Sequence, residues 1–286
     1  MKALRTIILA AGKGTRMKSS LPKVLHKVCG QPMIHYVVDT AVGAGSSKTY
    51  VVLGHKSQAV ESCLSGGVVC VEQKKLLGTA DAVRTCENYF RSYNGEILIM
   101  CGDAPLLSKS TIRALVRKHK RSNSVCTFLT AVLHDPQGYG RVIRGDSGDV
   151  QLIREDKDAV GFERDIAEIN VGVYCVGAKE LFKVLREIKV NKKKGEFYLT
   201  DIIEAFSQKG LKVDSLELED PQEGRGINTR EDLSLVERQM RRKIAKELML
   251  SGVSIIDPQT TYIDADVKIG KDTEIYPFTY IEGNVS

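Results

Sequence analysis

No uncharged apolar run in the 286 residues approaches the roughly 18 that a membrane span requires, so no transmembrane anchor and no membrane partner are expected. A signal peptide is not expected either, because the apolar start is confined to residues 7–11 and meets Gly12 and Lys13 directly; the mature chain is read as starting at Met1. Cys-x-x-Cys pairs are missing. The seven cysteines (29, 63, 70, 86, 101, 126 and 175) are odd in number and scattered, which argues against a disulfide framework or a zinc site and for reduced, mostly buried thiols in a cytoplasmic protein. The five histidines lack metal-ligand spacing, and no Ser-His-Asp or Cys-His set declares itself. A strong excess of one charge is absent as well: Lys+Arg 42 against Asp+Glu 36 leaves +6, which suits phosphorylated small molecules and falls short of a nucleic-acid-binding stripe. With 42% apolar and 27% charged residues the chain is an ordinary cored protein, and disorder or a fibrous fold is excluded.

Short β-branched runs at 6–11, 49–54, 68–71 and 96–101 alternate with stretches of helical character, which predicts an α/β fold with a mainly parallel, doubly wound, Rossmann-like sheet. Between the first two runs, Pro32 stands at an expected first helical position, and Met33, Ile34, Val37, Val38 and Ala41 share one face of a crossover helix. From about residue 125 the pattern loosens into hairpin signals at 126–133, 141–144 and 171–176, expected to form an insertion over the carboxyl edge of the sheet. Leu233, Val236, Met240, Ile244 and Leu248 follow helical spacing and predict one long arm helix ending before Gly252. Beyond it, Ile263, Ile269, Ile275 and Ile281 recur every six residues; ordinary hairpin strands and hexapeptide repeats of a parallel β-helix account for the spacing equally well.

Residues 9–17, Leu-Ala-Ala-Gly-Lys-Gly-Thr-Arg-Met, leave a strand into a glycine-rich turn where backbone N–H groups can approach a phosphate. The turn fits neither common fingerprint. Gly14 follows Lys13 where a P-loop has Ser or Thr, and Met17 stands where a dinucleotide fold has glycine. Lys13, Arg16 and Lys23 could converge on a triphosphate, or each could be a solvated surface cation. Asp103 follows an apolar strand at its carboxyl end, where open sheets place ligands; it suits magnesium, although a turn cap is the alternative.

Taken in order, the Leu9-x-Ala-Gly-x-Gly-Thr-Arg-Met turn, Leu-Pro-Lys-Val-Leu at 21–25, Gln73 with Leu-Gly-Thr-Ala at 77–80, Gly-Asp-Ala-Pro-Leu at 102–106, Gly-Tyr-Gly-Arg at 138–141, Glu-Ile-Asn-Val-Gly at 168–172, Gly-Glu-Phe-Tyr-Leu-Thr-Asp at 195–201 and Gly-Ile-Asn at 226–228 resemble the sugar-phosphate nucleotidylyltransferases. More narrowly, they resemble the bifunctional bacterial UDP-N-acetylglucosamine pyrophosphorylase/glucosamine-1-phosphate N-acetyltransferase family, over the chain to about residue 228. The resemblance implies a nucleotide-diphospho-sugar transferase fold and the partners UTP and N-acetylglucosamine 1-phosphate. Mg²⁺ would sit on Asp103 and Asn228. Leu9, Ala10, Ala11, Gly12, Lys23, Gln73, Gly78, Thr79, Gly102, Gly140, Glu155, Asn170 and Asn228 would bind substrate, Gln73 with Gly78 and Thr79 at the uracil and Gly140, Glu155 and Asn170 at the N-acetylglucosamine moiety. Lys13 and Arg16 would hold the β- and γ-phosphates and Lys23 the charge near the α-phosphate.

Each match has a plainer alternative. Gln73 alone reads as a polar strand end, Glu155 as part of a charge run, Asn170 as a strand-end turn, Gly140 as a hairpin glycine and Asn228 as a helix cap beside Thr229. Tyr198 and Asp201 could be structural, and lysines 192–194 a solvated loop. The expected organisation is 1–228 as the nucleotidyltransferase domain, 229–252 as an arm-helix linker and 253–286 as a short hexapeptide-repeat segment, the first coil of a left-handed β-helix. Four hexads fill little more than one coil, so no acetyltransferase activity is expected; a homo-oligomer remains open but a trimer is not expected. Two further readings stand beside this one: a pyrophosphorylase for another sugar 1-phosphate, and a sensor that binds UDP-sugar without turnover.

Overall fold

The computed structural model describes residues 3–54, 56–64, 66–191 and 195–283; lysines 192–194, read above as a solvated loop, and His55 lie outside these. The first part runs β1 (Leu4–Ala10), β2 (Lys27–Val28), β3 (Gln31–Pro32), α1 (Met33–Gly43), β4 (Ser46–Leu53), α2 (Ser57–Glu61), β5 (Val68–Glu72), α3 (Thr79–Arg84), β6 (Glu96–Cys101) and α4 (Lys109–Ser122). It continues with β7 (Cys126–Val132), β8 (Arg141–Arg144), β9 (Val150–Arg154), β10 (Glu168–Gly177), α5 (Ala178–Leu185), α6 (Asp201–Gln208), β11 (Val213–Glu217) and α7 (Arg230–Leu250). Four two-residue strands follow: β12 (Ser254–Ile255), β13 (Tyr262–Ile263), β14 (Glu274–Ile275) and β15 (Tyr280–Ile281).

The main sheet has the order β11-β7-β10-β6-β1-β4-β5, with the β8–β9 hairpin joined to β10. β4, β1 and β6 are mutually parallel, as is β5 beside β4, while β10 runs antiparallel between β6 and β7. The expected parallel α/β sheet is therefore present with one reversed strand inside it. Both faces are covered because the central strands are apolar without alternation. In β1 and β6, Ile7, Ile97 and Ile99 point into one core with Tyr50, Phe128 and Phe206; Ile8, Leu98 and Met100 point into the other with Met33, Ile34 and Leu115. Since β1 has β4 on one side and β6 on the other, the chain changes winding direction there, the position at which open sheets form a ligand crevice outside the carboxyl ends of their strands, here β1 and β6.

Two local expectations change or sharpen. Pro32 precedes α1 instead of opening it: it pairs with Lys27 in the β2–β3 hairpin, its ψ of 135° is extended, and the helix starts at Met33. α7 begins behind Thr229, whose hydroxyl accepts from the Asp232 N–H at 3.1 Å while the Asp232 carboxylate accepts from the Thr229 N–H at 2.9 Å. At the far end β12 pairs with β14 and β13 with β15, both parallel, with Ile255 opposite Ile275 and Ile263 opposite Ile281. A hairpin can only be antiparallel, so the hairpin account of the six-residue repeat does not hold. Ile255, Ile263, Val267 and Ile275 instead share a small core with Ala245 of α7. Among the described residues no helix is long and apolar enough to cross a membrane.

Candidate functional site

At the end of β1 the chain turns through Gly12 and Lys13 into a single 3-10 turn, Thr15–Met17, anchored by the buried Met17. Gly14 is required there twice over. Its φ is +60°, and a Cβ would lie 2.8 Å from the Cβ of Lys23. The glycine-rich turn thus presses directly on the Lys23 segment, whose own 3-10 turn, Lys23–Leu25, is pinned by buried Val24 and Leu25. Continuing the β1–β6 ladder, the Gly102 N–H donates to the Leu9 carbonyl at 2.9 Å, which brings Asp103 beside the turn.

Four of the expected residues meet here. Lys23 Nζ pairs with the Asp103 carboxylate and also donates to Asn228 Oδ1 at 3.1 Å; Arg16 donates to the same Asn228 oxygen at 2.9 Å. The Asp103 carbonyl accepts from the Ile227 N–H at 2.9 Å, so the strand end and the segment before α7 are tied together. Capping of α7 is done by Thr229, which leaves the Asn228 side chain to face the cations. Lys13 is exposed on the turn and joins none of these contacts. Among the described residues no cluster of three or more His, Cys, Asp or Glu could hold a metal. A carboxylate and a carboxamide oxygen nevertheless converge on one ammonium, and such a pair of hard donors fits Mg²⁺, which commonly keeps several of its own waters.

Gln73, just past β5, is buried, and its Nε2 donates to the Gly78 carbonyl at 3.1 Å and to the Asp81 carboxylate at 2.8 Å. Two acceptors facing the NH₂ fix the amide's orientation, so only Oε1 remains to read a ligand. Residues 197–199 lie against this loop. A Cβ on Gly78 would sit 2.4 Å from the Phe197 carbonyl, and the Thr79 hydroxyl accepts from the Leu199 N–H at 2.9 Å.

Gly140, Asn170 and Glu155 gather on the β8–β9 side. The Asn170 N–H donates to the Gly140 carbonyl at 2.8 Å, and its Nδ2 donates to the Tyr174 hydroxyl at 2.7 Å. Asn170 is no terminal turn residue: it lies inside β10, where the pairing with β7 is interrupted and Gly172 takes φ +82°. Glu155 accepts from the Thr200 hydroxyl at 2.8 Å, and burial pushes its carboxyl pKa up. It lines a cavity of about 340 Å³ with Asp158, Asn191, Tyr198 and Asp201. Burial first, then the charges of Glu204 and Glu155, raises Asp201 to about 6. Burial likewise raises Tyr198 to about 12. The sequence left Tyr198 and Asp201 undecided and did not single out Thr200. The Gly-Glu-Phe-Tyr-Leu-Thr-Asp stretch that contains all three was the available signal.

Cations and oxygen donors gathered where strand winding reverses are suited to moving a nucleotidyl group between phosphates, and the class is an α/β nucleotidyltransferase. Residues 6–201 match the MobA-like NTP transferase domain, and the chain belongs to that family. It is 45% identical over 276 residues to the bifunctional protein GlmU of Pelotomaculum thermopropionicum, covering 96% of this chain and 60% of that protein. Proteins of the same name from Shouchella clausii and Brevibacillus brevis are 46% and 43% identical, over 97% and 100% of this chain and 61% and 62% of theirs. The chain thus spans about 60% of the length of these relatives. A crystal structure assigned as a glucose-1-phosphate thymidylyltransferase from Bacillus anthracis shares the fold, with a TM-score of 0.66 and 22% identity over 82% of this chain and 94% of that one. The resemblance read from the motifs is borne out.

Proposed function

We propose that the chain is a uridylyltransferase that joins UTP and N-acetylglucosamine 1-phosphate to give UDP-N-acetylglucosamine and pyrophosphate. The observation that carries this is the meeting of Arg16, Lys23, Asp103 and Asn228 at one point of the crevice. A sugar-phosphate oxygen attacks the α-phosphorus in line, the new P–O bond forms as the bond to the β-phosphate breaks, and pyrophosphate leaves with the bonding pair. No general base is needed, since a phosphate monoester oxygen is already ionised at neutral pH. The protein's work is to hold two anions together and neutralise the leaving charge. Arg16, a planar fork, suits the departing β- and γ-phosphates, with Lys13 as a movable charge beside it; Lys23 lies nearer the α-phosphate. Asp103 and Asn228 would hold Mg²⁺, which when bound supplies charge neutralisation between the two substrates' phosphates.

Gln73 Oε1 suits the N3–H of uracil, and the Leu9–Gly12 backbone with Gly78, Thr79 and Gly102 would complete the nucleotide side. Glu155, oriented by Thr200, would accept from sugar hydroxyls alongside Asn170 and the Gly140 backbone. Within this reading residues 1–228 carry the reaction, 229–252 form the arm and 253–286 begin the hexapeptide coil.

The test is pyrophosphate release by the purified chain with UTP, N-acetylglucosamine 1-phosphate and Mg²⁺, against glucose 1-phosphate and an EDTA control. Metal-dependent release favouring the N-acetylated sugar is expected. Preference for another sugar 1-phosphate would transfer the reading to that substrate. Binding of UDP-N-acetylglucosamine without release would favour a sensor.

A further inference from the structure

Lys23 lies in a stretch, residues 17–29, that leaves the glycine-rich turn and ends at the tip of the β2–β3 hairpin. Its own Val24, Leu25 and Val28 are buried and the Tyr36 hydroxyl donates to the Val28 carbonyl at 2.7 Å, and a second set of contacts reaches it from far along the chain. Arg230, the first residue of α7, donates from Nε to the Met17 carbonyl at 3.3 Å and from Nη1 to His26 Nδ1 at 3.3 Å. An arginine can only donate, so His26 Nδ1 is the acceptor and the ring is the neutral tautomer protonated at Nε2. Two helical turns later, on the same face of α7, the Glu237 carboxylate accepts from the Cys29 N–H at 2.8 Å. That contact meets a backbone under constraint: Cys29 has φ +43° and is followed by Gly30 at φ +80°. The Cys29 carbonyl accepts from the Ala265 N–H at 3.0 Å, so both peptide groups of the tip are held from the carboxyl-terminal side. Arg230 and Glu237 therefore grip the stretch before and after Lys23, and both lie beyond residue 201, where the family match ends.

We propose that Arg230 and Glu237 are positioning residues for Lys23, fixing the ammonium relative to Asp103 and Asn228 through the backbone of residues 17–29. The inference rests on the functional reading above, in which Lys23 acts on the substrate phosphates. Neither side chain needs to touch substrate. Their effect falls on the rate of the chemical step, because a small displacement of a charge that acts mainly in the transition state lowers turnover more than it weakens substrate binding.

The experiment is a double-mutant cycle on the full chain, read as kcat and KM for pyrophosphate release. Arg230→Met and Glu237→Ala are each expected to lower kcat about tenfold with KM changed less than about threefold. In a Lys23→Ala background the same substitutions are expected to cost nothing further, because the group they position is gone. Glu237→Gln keeps an oxygen acceptor for the Cys29 N–H and is expected to recover most of the rate lost in Glu237→Ala. Equal losses with and without Lys23 would mark a general structural role and overturn the inference, as would unchanged kcat in both single variants. Amide exchange gives a readout independent of turnover: Arg230→Met should speed exchange across residues 17–29 while the second half of α7 keeps its protection. Wild-type exchange across 17–29 in both variants overturns the inference even where activity upholds the functional reading. A wild-type chain without turnover overturns that reading, and exchange alone then decides whether α7 orders the stretch.

Discussion

Isoleucine builds two different kinds of β-structure in this chain. In the central sheet, β1 has seven residues and β10 has ten, and the apolar side chains of the inner strands are buried on both faces. In the carboxyl-terminal ribbon each strand has two residues, and burial is one-sided: Ile255, Ile263 and Ile275 point inward while Tyr276, Phe278 and Tyr280 lie open, Phe278 at 86% exposure. Partial cover for the outer side comes from aromatic contacts, with Tyr262 stacked on Tyr280 at 5.6 Å and the Arg241 guanidinium 4.0 Å above the Tyr262 ring. The sheet closes its core with the helices between its strands and with Val236 and Met240 of α7. The ribbon borrows Ala245, Ile244 and Leu248 from α7. Arg16, Lys23 and Asp103 stand on the first region, and the second is attached to it through one helix and one hairpin tip.

The largest effect that could break this comparison is on chemistry. Asp103→Asn or Lys23→Ala should lower turnover by about 100-fold or more with little change in Tm, since in the proposed reaction Lys23 neutralises phosphate charge and Asp103 would hold the metal that does the same; near-wild-type rates in both, measured as pyrophosphate release, would move the site elsewhere. Next is the core. Phe128→Ala should cost about 3–5 kcal/mol by urea unfolding, because its ring is fully buried against the Tyr174 ring at 6.1 Å. Ile275→Ala in the ribbon should cost about 2 kcal/mol, at the lower end for such truncations, because a one-sided core can collapse toward the gap. Equal losses would erase the distinction between the two regions.

The last effect, confined to a pH window, is that of Asp201. Its carboxyl titrates near 6 when folded and near the ordinary value of about 3.9 when unfolded, so the folded chain binds the proton more tightly. The resulting stability is complete below about pH 4 and lost as pH rises through about 6. Asp201→Asn should remove that slope, so the Tm difference between wild type and variant should change between pH 4 and 6 and level off above 7; a constant difference would show that Asp201 does not titrate there.

Much of this was readable before the structure. Strands with continuous β-branched runs and the long α7 pattern declare themselves locally, because their burial is set by neighbours a few residues away. The reversed strand β10 does not, since antiparallel and parallel central strands have the same apolar composition. The isoleucine repeat gave its period without its pairing, which depends on a partner strand 18 residues on. At the site, Arg16, Lys23, Asp103 and Asn228 were recognisable by motif, yet the internal use of the Gln73 amide and the grip of Arg230 and Glu237 left no local mark. The partners of Gln73, Gly78 and Asp81, are near in sequence but their use by its amide is set by the folded loop, whereas the contacts of Arg230 and Glu237 join segments up to 213 residues apart.

The hydrogen bond between Arg16 and Asn228 spans 212 residues. On a ribosome adding about 5–20 residues per second, the turn that carries Arg16 is made roughly 10 to 40 s before its partner emerges. During that interval the nascent chain can form β1, α1 and β4 but cannot assemble the cluster at Asn228. Assembly of the proposed site therefore has to wait until the start of α7 has left the exit tunnel, and a chain whose synthesis stops short of residue 228 would carry the sheet without the Arg16–Asn228 contact.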